Sequence, residues 1–281
     1  MNLRKCNIPS LPSWTPDWTV KSEFKELTIH REARMSLFAS TLGKGALTLE
    51  QDGALLLGGC QTDLVTTVSA VMGNIEGTAL IKTLEEWAAF VNLPKQSGSS
   101  YIGGENLYNA FWRTMFEDTS AKDDTDSGNL VYSAYRRTVP ADKVAWEMWY
   151  DWYKSTIDSE SKLVKHPEIP GSKATILHVG FMVYISTQGR LLFKTKRGYI
   201  GLGPEHTQPG DTVFVLEGSA VPLLLRLHQD QSLVIFTNLA NQKFRVEKPC
   251  YELVGSSFIL GMMDGEAVPQ LDAEGAPIIL R

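Results

Sequence analysis

The feature that most constrains this chain is a series of seven short apolar runs beyond Gly189, separated by glycine and proline. The runs lie at residues 191–195, 199–202, 212–216, 221–226, 233–236, 251–254 and 257–260. Linkers such as Gly203-Pro204 and Pro209-Gly-Asp211 have the composition of tight turns. Strands so short and so closely spaced would leave many exposed edges in an open sheet. We therefore expect a small, closed or nearly closed β-barrel.

Apolar runs of the same kind lie between Met35 and Val71, at residues 36–39, 46–49, 54–57 and 64–68. Glycines separate them, among them the pair Gly58-Gly59, so the segment predicts a β-meander. An arm from Leu11 to Trp18 precedes it. Two prolines exclude regular structure there, and its tryptophans are expected to dock the arm onto the core.

Helical periodicity is confined to the middle of the chain. Apolar residues recur at helical spacing over residues 78–91, 105–116 and 140–157, which predicts three helices. Residues 172–185 show both helical and strand features, and we favour a fourth helix. The acidic stretch 118–129 is typical of an exposed, mobile loop.

These patterns predict an α+β fold. A small antiparallel β-barrel is built from an N-terminal meander and C-terminal strands, and a helical insertion of three or four helices packs against it. The chain is expected to be one compact unit. Its parts are the arm and meander at 1–75, the insertion at 76–188 and the barrel strands at 189–281.

Charge and cysteine content exclude several classes of function. The chain has 27 basic and 32 acidic residues, a net charge of −5. Such a surface has no general attraction for nucleic acid, although a local site for tRNA stays open. No apolar run approaches the length of a membrane span, and no signal peptide is visible. The cysteines Cys6, Cys60 and Cys250 lack metal-site or disulfide spacing. We expect a cytoplasmic protein with no cofactor and no metal.

Four residues are candidates for catalysis. Asp264 and Glu266 stand two residues apart and could form an acid/base pair or hold a cation, or simply build an Asp-Gly turn. Tyr199 lies in a glycine-rich segment that lacks the order of elements of a phosphate-binding loop. His206 could act as a general base, but no recognisable triad motif accompanies it.

Five further residues are candidates for ligand binding. Arg113, beside Trp112 on a predicted helix, could bind a carboxylate or phosphate, or form a structural ion pair with an acid such as Asp17. Lys194 and Arg197 form a small basic cluster that could hold an anionic ligand or end a solvated strand. The ring of Trp149 could line a pocket for a flat ligand or pack in the core.

Four segments in order resemble the region that follows the HET domain in fungal heterokaryon-incompatibility proteins. They are 11–18 (LPSWTPDW), 110–115 (AFWRTM), 189–211 (beginning GRLLFKT) and 251–267 (beginning YELVG and ending MDGEA). The resemblance implies a barrel fold and a fungal context. The HET domain itself has no counterpart here, and residues 256–260 (SSFIL) replace the ECYVH-like run common in relatives.

Three functions are compatible with these observations. The barrel could be recruited as a biosynthetic enzyme acting on a small molecule by cyclisation, isomerisation or aminoacyl transfer, since a shaped pocket needs no portable motif. Alternatively, it could be a non-catalytic recognition module in heterokaryon incompatibility, or an interaction scaffold with a protein partner. An enzyme requires a concave pocket with convergent charged residues, whereas a barrel interior filled by side chains argues against one.

Overall fold

The computed structural model describes most of the chain, with gaps. The described residues are 8, 11–16, 19, 25–41, 45, 47–50, 53–73, 78–93, 99–123, 130–162, 173–228, 233–237, 243–267 and 276–281. The helices are α1 (Lys25–Met35), α2 (Thr78–Phe90), α3 (Leu107–Met115), α4 (Pro140–Lys162) and α5 (Lys173–Thr187). A short 3₁₀ turn spans Ile102–Gly104.

Thirteen strands are described, grouped here by position along the chain. The first four are β1 (Leu47–Leu49), β2 (Leu55–Val71), β3 (Thr119–Asp123) and β4 (Leu130–Arg137). Those beyond α5 are β5 (Arg190–Thr195), β6 (Ile200–Pro204), β7 (Thr212–Leu216), β8 (Leu223–Leu227), β9 (Leu233–Thr237), β10 (Lys243–Glu247), β11 (Cys250–Ser256), β12 (Phe258–Ile259) and β13 (Ala276–Leu280).

Five of these strands close into the expected barrel. The order β2–β13–β11–β8–β7 returns to β2 through pairing of Gly59–Leu64 with β7. The barrel is mixed rather than antiparallel, because β13 runs parallel to β11, with Cys250 opposite Ile279. A parallel neighbour needs a crossover connection, which the chain between Ser256 and Ala276 supplies.

The predicted meander is reduced to the antiparallel pairing of β1 with one long strand, β2. Runs 54–57 and 64–68 belong to one strand of 17 residues, and run 36–39 is not a strand. Gly58 and Gly59 lie inside β2 rather than in a turn. A Cβ on Gly59 would lie 2.5 Å from Leu216 Cδ2, so glycine permits close approach of β7. Beyond Leu64, β2 pairs with β5 and starts a second sheet, β2–β5–β6–β12.

Side chains fill the interior of the closed barrel. One apolar cluster draws residues from all five barrel strands, and the rings of Phe214 on β7 and Tyr251 on β11 meet across it with centroids 5.0 Å apart. Trp14 of the N-terminal arm packs against the same cluster, as predicted, whereas Trp18 lies outside the described residues. The buried members are Leu55, Phe214, Leu216, Leu225, Ile278 and Leu280.

The helices pack with the second sheet into a separate, larger core. It is rich in rings, with Trp87, Phe111, Phe116 and Trp146 almost completely buried. Helices α2 to α5 confirm the helical predictions, including the fourth helix. Helix α1 has no counterpart among the predicted elements. The prediction that the acidic stretch 118–129 is an exposed loop is wrong for its first residues. Residues 118–121 are buried, and β3 pairs with β4; residues 124–129 lie outside the described part.

Tight packing around β6 leads to a stability prediction. A Cβ at Gly201 would lie 2.6 Å from Phe193 Cζ and 2.7 Å from the Phe258 carbonyl oxygen. We expect Gly201→Ala to lower the free energy of unfolding by about 2 kcal/mol, since overpacking forces backbone shifts. Urea unfolding followed by tryptophan fluorescence measures the change. Gly73→Ala is the control, because nothing lies within 4 Å of its Cβ position, and its effect should stay within about 0.5 kcal/mol. Equal losses in the two variants would contradict this packing.

Candidate functional site

The turn that ends α3 carries the most unusual backbone in the described chain. Glu117 and Asp118 are consecutive non-glycine residues with positive φ, 48° and 49°. Such residues are uncommon, cost about 1–3 kcal/mol each, and persist only where their surroundings hold them in place. Both side chains are buried. Their carboxylates bind two different groups of arginines, which supply the interactions that hold the turn.

Glu117 accepts ion pairs from arginines of two distant elements. Its Oε2 lies 2.8 Å from Nη2 of Arg34 on α1, and its Oε1 contacts Nη1 of Arg190 on β5. The side chain of Arg34 is only 1% exposed. Its guanidinium also donates to Ser186 Oγ at 2.8 Å and to the Ile185 carbonyl oxygen at 3.2 Å. Helix α1 is thereby tied to α5, to the α3 turn and to the sheet.

A third arginine brings the local charge to a net excess of two positive units. Arg31, one turn before Arg34 on α1, donates from Nη2 to the Gln188 carbonyl oxygen at 2.7 Å and from Nε to the Ile185 carbonyl oxygen at 3.2 Å. These acceptors are neutral. Three guanidinium groups therefore surround one carboxylate, that of Glu117.

The pKa values reflect this crowding. Burial by itself would raise the pKa of Glu117, but the charges of Arg34, Arg190 and Arg31 outweigh it and hold the pKa below its ordinary value. Burial lowers the pKa of Arg190, with a further contribution from Arg34, while Glu117 acts in the opposite direction. Burial is also the main cause of the lowered pKa of Arg31, and Arg190 adds to it. Glu117 is ionised at neutral pH.

These groups line a half-open cavity at the seam between α1 and the barrel strands, here called the arginine cleft. Its volume is about 30 Å³, enough for about two waters. An apolar wall and two serines complete it. The lining residues are Arg31, Arg34, Met35, Phe38, Glu117, Arg190, Val221, Ser256, Ser257, Phe258 and Met263.

Asp118 organises a second network that includes two of the predicted site residues. It accepts both Nε and Nη2 of Arg113, at 2.7 and 2.9 Å, and Nη2 of Arg137 at 2.8 Å. Arg113 also donates to Glu105 at 2.9 Å, and Arg137 to Asp264 at 2.6 Å. The structure thus brings Arg113 and Asp264 into one network, in which Arg113 forms structural ion pairs. The suggested partner Asp17 lies outside the described residues.

Glu266 and His206 lie at turns. The Oε2 atom of Glu266 accepts the backbone N–H of Asp264 at 2.7 Å, an arrangement that closes the Asp-Gly turn. His206 Nε2 lies 3.5 Å from Glu205 Oε1. Tyr199 is buried, with its ring edge-on to Tyr101 at 6.3 Å.

The remaining ligand-binding candidates are dispersed. Trp112 and Trp149 are buried, Trp112 against Phe116 and Trp149 stacked on Tyr153. Lys194 Nζ donates to the Phe90 carbonyl oxygen at 2.8 Å. The side chain of Arg197 is exposed, and its guanidinium lies 5.8 Å from the Tyr199 ring centroid. The predicted site residues do not line the arginine cleft among the described residues.

Sequence reasoning missed the residues that form the cleft. Arg34 and Glu117 carry no local motif, and their pairing joins parts of the chain 83 residues apart. One signal was available for Arg190. It directly precedes the apolar run 191–195 and begins β5, in which every residue except Lys194 is buried. A buried charge in a strand predicts a partner, although the sequence does not identify it.

A buried serine–histidine pair lies elsewhere in the helical layer. His178 Nε2 is 2.9 Å from Ser120 Oγ, and both side chains are buried, Ser120 completely. A nucleophile must reach its substrate, and a completely buried hydroxyl cannot do so without rearrangement. The pair is therefore consistent with a structural hydrogen bond between β3 and α5.

The described residues contain no group of three or more His, Cys, Asp or Glu side chains arranged to hold a metal ion. Among them, too, no helix has the length and apolar character needed to cross a membrane.

Comparison with known proteins identifies the family. The model of the Het-6 β-barrel domain matches residues 81–274, which is 194 of the 281 residues. The chain belongs to the Het-6 β-barrel domain family. The resemblance inferred from four sequence segments is thus confirmed. The matched range begins in α2 and ends before β13, so it contains Glu117 and Arg190 but not Arg31 or Arg34.

A curated fungal protein extends the similarity across nearly the whole chain. Heterokaryon incompatibility protein 6, OR allele, from Neurospora crassa is 23% identical over 297 aligned positions. The alignment covers 95% of this Het-6 β-barrel protein but only 39% of the relative, so the chain spans about two fifths of that protein. No solved structure matches.

The Asp118 network leads to a prediction about stability. We expect Asp118→Asn to lower the free energy of unfolding by about 3 kcal/mol, because it leaves Arg113 and Arg137 facing a neutral buried group. Asparagine tolerates positive φ about as well as aspartate does, so the substitution should not change the backbone strain at position 118. Chemical denaturation measures the loss. Asp264→Asn is the control: it removes the half-exposed partner of Arg137, and we expect less than about 1 kcal/mol. An Asp118→Asn loss as small as that of the control would show that the network contributes little.

The carboxylate of Asp142, near the start of α4, should make the free energy of unfolding depend on pH in the acid range. Burial opposes its ionisation, but Arg136 and the Val139 N–H outweigh burial and hold the pKa of Asp142 below its ordinary value. A lowered folded pKa stabilises the protein above the unfolded value, and the contribution is lost as the pH falls through the folded pKa. We expect Asp142→Asn to cost about 1 kcal/mol at pH 7 and progressively less toward pH 2. Urea unfolding across this range tests the convergence, and a constant difference would contradict it.

Proposed function

We propose that this chain is a non-catalytic recognition module that acts in heterokaryon incompatibility. The observation that carries the proposal is the filled barrel. Side chains from all five barrel strands meet inside it, with Phe214 packed against Tyr251. An interior packed in this way holds no substrate, so recognition has to use the outer surface or the seams of the fold.

The positions of the candidate catalytic residues support the same proposal. Asp264 and Glu266 are exposed and engaged in an ion pair and a turn, while the Tyr199 side chain is buried against Tyr101. General acid–base catalysis needs a group within hydrogen-bond reach of a bound substrate. These side chains do not converge on the arginine cleft.

A biosynthetic enzyme is the second candidate, and one observation favours it. The arginine cleft gathers charged groups whose pKa values are shifted by burial and by one another, as groups in active sites often are. Its volume is about 30 Å³, however, whereas small-molecule pockets are usually about 300–1,000 Å³. The cleft suits one small group rather than a whole metabolite, so we favour recognition.

Expression in Neurospora crassa tests the proposal, because the curated relative comes from that fungus. The chain is expressed in strains that carry or lack the relative, and heterokaryon growth and extracted metabolites are measured together. We expect growth that depends on the relative, with an unchanged metabolite profile. The double variant Asp264→Asn, Glu266→Gln should behave like the unaltered chain. A new metabolite that disappears in this variant, with growth unaffected, would establish the enzyme instead.

A further inference from the structure

We propose that the arginine cleft binds one dianionic phosphoryl group, either as free phosphate or as the phosphate monoester of a small molecule. This site is independent of the proposed function, since a recognition module and an enzyme could each use it. Its charged groups come from α1, the turn after α3 and strand β5, and its two serines come from the end of β11 and the residue that joins it to β12.

The charge count is the first argument. Arg31, Arg34 and Arg190 face one another and the single carboxylate of Glu117, and no other acid lines the cleft among the described residues. The four groups therefore carry a net charge of two positive units. Arg34 and Arg190 share the one carboxylate and are almost fully buried, and buried charge that is only partly compensated is costly. A bound anion of two negative charges would balance the site.

Hydrogen-bond donors point to the same ligand. Each guanidinium has five N–H groups. Arg34 uses all of its own on His30, Phe116, Thr119, Ser186, Ile185 and Glu117. Arg31 uses two, which leaves three without an acceptor among the described residues. Arg190 uses three, on Glu117, Leu202 and Ser256, which leaves two. The cleft thus combines a fixed arginine with two that still have donors to offer.

The fixed positions of these arginines indicate a prepared site. Arg190 Nη2 is held by the carbonyl oxygens of Leu202 at 2.7 Å and Ser256 at 3.2 Å. Glu117 sits on the positive-φ turn and is shared by Arg34 and Arg190, so the two guanidiniums keep their relative positions. Little conformational entropy is then lost on binding, which favours even a small ligand.

Charge and size together select phosphate over carboxylate. A carboxylate would neutralise one of the two excess charges, whereas a phosphate monoester carries about −1.5 to −2 at pH 7. Planar guanidinium groups bind phosphate oxygens with paired N–H bonds. The cavity has room for about two waters, so phosphoryl oxygens can replace those waters while the ester substituent lies outside the half-open mouth.

Isothermal titration calorimetry on the full chain tests the site. Inorganic phosphate and free phosphoserine are the probes, with sulfate, acetate and chloride compared at matched ionic strength. We expect phosphate or phosphoserine to bind at least tenfold more tightly than acetate or chloride. Binding of phosphoserine without binding of inorganic phosphate would assign the site to organic monoesters. Equal, weak heats for every anion would overturn the proposal.

Arg31→Met is the variant that isolates the cleft. It removes the three uncommitted donors of Arg31 together with its charge. The loss of the bonds to the Ile185 and Gln188 carbonyl oxygens is opposed by relief of repulsion from Arg34 and Arg190, so the apo protein should still fold while phosphate affinity falls at least tenfold. Lys82→Met is the matched control, since Lys82 is exposed on α2 and its loss changes net charge equally. If Arg31→Met fails to fold, Arg31→Gln replaces it. Unchanged affinity in a folded Arg31 variant, or an equal loss in the control, would refute the site.

Discussion

The fold depends on two adjacent carboxylates held on one strained turn. Glu117 joins α1 to β5 through Arg34 and Arg190, while Asp118 joins α3 to β4 through Arg113 and Arg137. A buried ion pair need not add net stability, but removing one partner leaves an uncompensated charge. The main effect of the turn is therefore to fix the position of the helical layer relative to the strands. The strain energy of two residues with positive φ opposes this arrangement.

The long strand β2 explains why that seam exists. Its first part closes the barrel with β13 and β7, and its last part pairs with β5 in a second sheet. One strand thus belongs to two cores, one inside the barrel and one beneath the helices. The barrel core is filled by apolar side chains such as Phe214. The buried charged groups therefore lie at the boundary between the two cores, where Arg190 begins β5. The arginine cleft is a consequence of this architecture.

Periodic segments were predictable, and segments held by tertiary contacts were not. Seven of the nine strands beyond Gly189 and helices α2 to α5 have apolar residues at the spacing that their structure requires. Strands β10 and β13 lie outside the predicted runs, although β13 completes the barrel. Helix α1 is mostly polar in sequence, and Leu27 and Arg34 are the buried residues among its described side chains, so it shows little periodicity. The start of the acidic stretch is buried because Asp118 meets two arginines, and the Gly58-Gly59 pair serves strand packing rather than a turn. Of the predicted site residues, Arg113 and Asp264 share a network, while the cleft consists of others.

The sequence by itself determined the local elements and the family. Glycine and proline indicated most turns, the apolar runs indicated most strands, and the ordered segments indicated the barrel region of heterokaryon-incompatibility proteins, which the match to the Het-6 β-barrel domain confirmed. Tertiary structure alone decided which charges meet. Arg34 and Arg190 stand 156 positions apart and share Glu117, and no local pattern encodes such a pairing. Electrostatic partners depend on distance in space, and that distance exists only after the strands have closed and the helices have packed.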